Sequence, residues 1–294
     1  MSNLSVALIG CNSLTEAAID SLIRSKFKLN LIITKNDDKY NSDYVNLKKK
    51  YLKKVKVFTT KDINSKKILD KLRQNNINLI FCIGWSHILN KNILNFPKFG
   101  VIGHHPTMLP KNKGKHPFIW SIILNEKYFG SSFFLMNERI DDGKIYSQKK
   151  IRILKKEISY DLIKKCQKAI KKQIIYICRN INKIKEIKKT NTSNYWRRRF
   201  DCDGKIDFRM TASSIDRLIR ALTFPYVGAH ILYEKKKYFI YRSKIIKTKL
   251  KTIPGKILKF SNNFLIVMTE ENAIKIFSSK LAKKLKNNKY ILCS

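Results

Sequence analysis

The sequence predicts an α/β protein built on a doubly wound, mostly parallel sheet, with a small β-barrel domain after it. Three observations lead there. Apolar runs of strand length alternate with segments of helical spacing from Ser5 to Ile153, the signature of a parallel sheet with crossover helices. A polar stretch with little apolar periodicity follows a long amphipathic helix. Beyond that stretch, short strand-like runs recur between turn signals, as in a small barrel.

Taken in order, residues 5–11 read as a buried strand, and "NSLTEAAIDSLIRSKF" as a helix with Asn12 or Ser13 as its cap. Strands are expected at 29–34, 55–59, 78–83 and 100–105, with helices at 43–54, 65–74 and 90–94 between them. A helix at 116–126, a strand at 131–137, the turn "ERIDDGK" and a strand at 145–153 come next. Residues 160–182 form a long helix with Leu162, Cys166, Ile170, Ile174 and Ile177 on one face. This divides the chain into a first domain (1–182), a linker (183–203) and a second domain (204–294). In the second domain a helix at 213–222 precedes short strands, and the final "LAKKLKNNKYILCS" reads as frayed.

Composition narrows the function classes. No run of about 18 apolar residues exists, so no membrane span is expected. The N-terminus has no basic segment ahead of its apolar run, which argues against a signal peptide. Six scattered cysteines without a C-x-x-C pair predict neither a disulfide framework nor a metal site, and a reduced cytoplasm fits them. The net charge of +41 comes from lysines spread along a chain also rich in Asn and Ile. That spread reads as solvated surface and compositional drift, with affinity for RNA or another polyanion as the alternative. "GCNS" at Gly10 lacks G-x-G-x-x-G, so no dinucleotide site is expected.

Chemistry concentrates elsewhere. "GVIGHHPTMLPKNKGKHPFIW" (100–120) holds three of the five histidines. His105 ends a predicted strand before Pro106, and open parallel sheets bind ligands beyond such strand ends. Asp141 lies in the turn before Asp142-Gly143. A carboxylate beside an imidazole fixes its tautomer and raises its pKa, giving a base and then an acid near neutral pH. Residues 103 and 105 face one way along the strand and His104 the other, so His104 reads as packed.

These motifs resemble the core of the folate-dependent formyltransferase family, which includes sugar N-formyltransferases and methionyl-tRNA formyltransferase. His105-Pro106-Thr107, Leu109-Pro110, Lys113-Gly114 and Asp141-Asp142-Gly143 match its Asn-x-His-Pro-Ser-x-Leu-Pro, Arg-Gly and Asp-x-Gly pattern. "DGKIDF", "IDRLIRALTFPYVGAHILY" and "PGKIL" resemble its C-terminal domain, so the likeness spans about residues 5–280. The resemblance implies a Rossmann-like formyltransferase domain followed by an OB-like barrel. It implies transfer of a formyl group from 10-formyltetrahydrofolate, as donor co-substrate, to a primary amine, with no metal. His105 and Asp141 are then the catalytic pair. Trp85, His87, Ile88 and Leu89 would hold the folate on one side, and Asn137, Glu138, Arg139 and Ile140 on the other. His116, Thr107 and Lys113 are the candidates for the acceptor pocket, a plain helix-start residue being the alternative for His116.

One departure stands out: the family's catalytic Asn falls at Gly103. Loss of one oxyanion donor costs on the order of 3 kcal/mol. If the space is a vacated donor position, Gly103→Asn should preserve or raise activity; a folded but inactive variant would argue for a rebuilt pocket. The expected acceptor is a nucleotide-linked amino sugar. Charged initiator tRNA is the alternative, followed by a formyltetrahydrofolate hydrolase or a non-catalytic folate- or RNA-binding relative. No membrane partner is expected.

Overall fold

The computed structural model describes residues 4–37, 42–190, 192–286 and 288–291. The chain forms two compact units. The first comprises Met1–Pro117, Tyr128–Arg152 and Ile163–Arg197, and the second Phe118–Lys127, Ile153–Leu162 and Arg198–Ser294.

Five parallel strands found the first unit: β1 (Val6–Ile9), β2 (Leu29–Thr34), β3 (Lys56–Thr59), β4 (Leu79–Cys82) and β5 (Val101–His105). After the two-residue β6 (Lys113–Gly114), β7 (Tyr128–Leu135) and β8 (Ile145–Arg152) add antiparallel to β5, in the order β3-β2-β1-β4-β5-β7-β8. The doubly wound, mostly parallel sheet predicted from the sequence is therefore present. Every residue of β1 and β4 is buried, as continuous apolar strands in a sheet covered on both faces should be.

Local chemistry explains the helices. Asn12 caps α1 (Ser13–Arg24): its side chain accepts from the N–H groups of Leu14 and Thr15, and Thr15 answers to the Asn12 N–H. The Thr15 hydroxyl also donates to the Ile83 carbonyl at 2.6 Å, tying the helix start to the end of β4. The helix expected at 43–54 is shorter, α2 (Leu47–Tyr51), because Asn46 caps it by accepting from Lys49 N–H. Then come α3 (Lys66–Gln74), α4 (Lys91–Leu94) and α5 (Pro117–Ile123). The last stops short of Glu126 where Asn125 turns left-handed, at φ 56°. The anticipated stripe of α6 (Ser159–Asn180) is fully buried at Leu162, Cys166, Ile170, Ile174 and Ile177.

The stretch expected to be a linker from 183 onward is built into the first unit as far as Arg197. Tyr195–Trp196 form β9, paired in parallel with β6. In the second unit, α7 (Ala212–Leu222) accompanies the hairpin of β10 (Ala229–Tyr233) and β11 (Lys236–Ile240). Four further strands, β12 (Ser243–Ile246), β13 (Ile257–Ser261), β14 (Phe264–Met268) and β15 (Ala273–Phe277), form an antiparallel sheet in the order β12-β15-β14-β13. The segment expected to fray instead begins within α8 (Ser279–Lys284). Ser278 caps this helix, and Leu281, Ala282 and Leu285 are fully buried. Asn287 and residues 292–294 of that segment lie outside the described residues. No helix among the described residues is long and apolar enough to cross a membrane.

Candidate active site

Strand alternation at the end of β5 separates the adjacent histidines. The His104 ring packs against Phe133 with centroids 4.9 Å apart, and its Nε2 lies 2.9 Å from the Ser131 hydroxyl. That hydroxyl donates to Gln173 Oε1 at 2.6 Å. Burial pushes His104 down to about 3, so the ring is neutral. It is a packing residue on the α6 side of the sheet.

His105 turns to the other face, where it is 7% exposed. Its Nε2–H donates to the Asn112 carbonyl at 3.1 Å, and its Nδ1 lies 3.6 Å from Asp141 Oδ2. The same carboxylate oxygen accepts from the Gly114 N–H at 3.2 Å. The Asp141 charge raises the imidazole pKa, as the sequence led us to expect, but a larger opposing effect makes the net shift downward. Burial lowers the His105 pKa, and it outweighs the raising influences of the Asp141 charge and the Asn112 carbonyl, while Lys115 lowers it further. The result is a neutral imidazole at neutral pH, the state a proton acceptor requires.

The pair does not form between adjacent strand ends. In the antiparallel ladder, His105 faces Ser132 and the end of β7, Leu135, faces Ile102. The loop after β7 must therefore fold back along β5 to bring Asp141 to His105. Gly103 lies on that path. A Cβ there would stand 2.8 Å from Met136 Cγ and 2.9 Å from the Phe134 ring, closer than carbon atoms tolerate. The position is filled by a thioether side chain and a phenyl ring, so Asn there would require those side chains to shift.

Lys113 and Thr107 have partners that give them structural work. Lys113 Nζ is 2.8 Å from Asp142 Oδ1. Lys189 Nζ donates to the Asp142 carbonyl at 2.7 Å, and Arg139 approaches its carboxylate at 3.8 Å. The hydrogen bond from Lys113 is the first reason the Asp142 carboxyl sits below its usual range. Thr107, 1% exposed, donates its hydroxyl to the Lys111 carbonyl. Both residues hold the loops beside the pair. His116 is half-buried ahead of α5 with φ 56°.

Lys91, at the start of α4 just after the first loop expected to flank a folate, pairs with Glu138 of the second, Nζ to Oε1 at 3.0 Å. After β4, His87 is exposed and Ile88 is 65% exposed, while Leu89 is buried in the core. The Trp85 ring lies 5.8 Å from that of His87, and its buried Nε1–H has no hydrogen-bond partner among the described residues. After β7, Asn137 Oδ1 accepts from Arg139 N–H, and Ile140 is 56% exposed. Sequence reasoning missed Asn112, Met136, Lys189 and Asn194. Asn112 and Lys189 touch the pair or its loop only through tertiary contacts, which no local motif announces.

The fold and this site together define a Rossmann-like α/β protein carrying a buried His paired with a partly buried Asp over its sheet. The sequence profile of formyl transferase matches residues 3–177, and that of the formyl transferase C-terminal domain matches residues 200–290. The chain belongs to the formyl transferase family. It is 37% identical over 270 residues to the bifunctional polymyxin resistance protein ArnA of Wigglesworthia glossinidia brevipalpis, covering 89% of this chain and 40% of that protein. The chain thus spans less than half the length of that relative. It is 28% identical over 226 residues to the methionyl-tRNA formyltransferase of Alkaliphilus oremlandii (strain OhILAs), 76% of this chain and 72% of that one. Among solved structures, the sugar 3N-formyltransferase WlaRD, in the presence of dTDP and 5-N-formyl-THF, superposes with a TM-score of 0.69 at 21% identity, covering 93% of this chain and 97% of that one. The N-formyltransferase from Helicobacter canadensis, in complex with folinic acid and dTDP-3-aminofucose, gives 0.70 at 20% identity, covering 94% and 99%. At these identities the likeness to both is one of fold.

Proposed function

We propose that the chain transfers a formyl group from 10-formyltetrahydrofolate to the primary amine of a nucleotide-linked amino sugar. The observation that carries this reading is the neutral, buried His105 with one nitrogen committed to a carbonyl and the other facing Asp141. Such a ring takes a proton at Nδ1 from an attacking amine, and the adjacent carboxylate stabilises the imidazolium that results. The proton then returns to the departing nitrogen of the donor, so His105 ends the cycle neutral. Positioned acid–base transfer of this kind is worth roughly 100- to 10,000-fold.

The loops suit a pterin donor. Exposed Ile88 and Ile140 offer apolar contact from two sides, and the buried Trp85 indole N–H has a hydrogen bond to give. Bound there, 10-formyltetrahydrofolate would supply the formyl carbon. Apolar Met136 and Phe134 fill the space at Gly103, so a donor to the formyl oxygen comes from another group, and protonated His105 is the nearest candidate by chemistry.

The sugar acceptor is favoured by the stronger match to ArnA, and the fold is shared over nearly its full length with a sugar 3N-formyltransferase and with an N-formyltransferase in complex with dTDP-3-aminofucose. Methionyl-tRNA is the second reading, favoured by the +41 charge and the relative at 28% identity. The deciding experiment assays formyl transfer to UDP- and dTDP-linked amino sugars beside charged initiator tRNA. Formylated sugar, lost in His105→Ala, is the expected result. Formylation of the tRNA alone would reject the sugar reading.

A further inference from the structure

We propose that Lys189 and residues 192–196 form a brace that holds the two halves of the His105–Asp141 pair in register, with Lys189 and Asn194 as its positioning residues. This rests on the catalytic reading of the pair given above. Neither residue touches the reacting groups; each acts through a loop that does.

His105 and Asp141 each depend on a backbone group of the loop at 112–114. The Asn112 carbonyl accepts from His105 Nε2–H, and the Gly114 N–H donates to Asp141 Oδ2. That loop has an unusual backbone: Asn112 stands at φ 60° and Gly114 at φ 105°, conformations that L side chains adopt at a cost. Asn194 supplies what holds it. Asn112 N–H donates to Asn194 Oδ1 at 2.7 Å, Asn194 Nδ2–H donates to Asn112 Oδ1 at 2.8 Å, and Lys113 N–H donates to the Asn194 carbonyl at 3.1 Å. Lys115 N–H then donates to the Trp196 carbonyl at 3.0 Å, completing the β6–β9 ladder.

The same brace reaches the other half of the pair. Lys189 Nζ donates to the carbonyl of Asp142, the residue after Asp141, while Lys113 from the first loop grips the Asp142 carboxylate. Lys189 thus holds one loop and Asn194 the other, and together they set the separation of the imidazole from the carboxylate. Gly114 is the fingerprint of this contact. A Cβ at that position would stand 2.3 Å from the Trp196 carbonyl oxygen and 2.8 Å from the Tyr195 ring, so the loop can lie against the brace only with glycine there.

The test compares the full chain with Lys189→Ala, Asn194→Ala and the double variant, with Lys188→Ala at an exposed neighbouring position as control. Two readouts are taken: steady-state formyl transfer and the ring 15N shifts of His105, assigned against His105→Gln. The wild type should hold the Nε2–H tautomer. Each single variant should lower kcat by about five- to tenfold with KM for the formyl donor unchanged. Asn194→Ala should replace the single tautomer by a mixture, and Lys189→Arg should restore turnover. Unaltered ring shifts together with unaltered kcat in the double variant would overturn the brace. A changed ring with unchanged turnover would support the brace and remove His105 from the chemistry, which separates failure of this inference from failure of the catalytic reading.

Discussion

His105 Nδ1 and Asp141 Oδ2 face each other at 3.6 Å across a loop that doubles back over β5, while the opposite ring nitrogen is held by the Asn112 carbonyl. Replacing Asp141 with Asn keeps the shape and removes the charge that favours the imidazolium. Turnover should fall roughly 100-fold or more with little change in melting temperature. The Asp141 charge raises the His105 pKa against the effect of burial, so removing it should move the acidic limb of the kcat/KM profile to lower pH. Wild-type turnover in Asp141→Asn would take the carboxylate out of the mechanism.

Gly103→Asn should not recover a lost donor. Its Cβ would press on Met136 and Phe134, and overpacking of this kind costs about 1–3 kcal/mol. Chemical denaturation should show that loss, and Gly103→Asn with Met136→Ala should regain most of it. A single Gly103→Asn variant as stable as wild type and faster would mean that the two side chains move aside freely.

His104 makes stability depend on pH. Its folded pKa, about 3, lies below the ordinary imidazole value near 6.5. Below that ordinary value the unfolded chain binds a proton that the folded chain refuses, so stability falls as pH drops from about 6.5 towards 3. The slope contributed is roughly 1.4 kcal/mol per pH unit. Urea melts at pH 7 and pH 5 should show a smaller loss for His104→Leu than for wild type. Equal losses would mean that His104 takes up its proton while folded.

Ile88→Asp and Ile140→Asp test the donor cleft. Both side chains are largely exposed, so folding should survive. If each covers the pterin, losing that contact should raise KM for 10-formyltetrahydrofolate by roughly tenfold or more. Unchanged KM in both variants would locate the donor elsewhere.

Much of the fold is legible in the sequence because β1 and β4, side by side within the sheet, are apolar at every position and read as buried strands. The candidate pair is legible because His105-Pro106 and Asp141-Asp142-Gly143 are short motifs at strand boundaries. What burial does to His105 is not, since burial belongs to the tertiary structure. The start of β7 at Tyr128, three residues before the expected strand, hides behind the polar "NEK" and Gly130. α8 hides among lysines, its apolar positions too few to set a period. Asn194 sits in a run of polar residues that composition alone assigns to a linker, although its side chain and carbonyl bind residues 82 and 81 positions away.

The two-residue ladder between β6 and β9 also sets where the first unit can be cut. A fragment trimmed after the last turn of α6 would keep all seven strands of the main sheet. It would lose the tether that shapes the turn beneath the imidazole, and so be foldable in outline yet slack at its working end. The shortest piece that retains the tether runs on to Trp196.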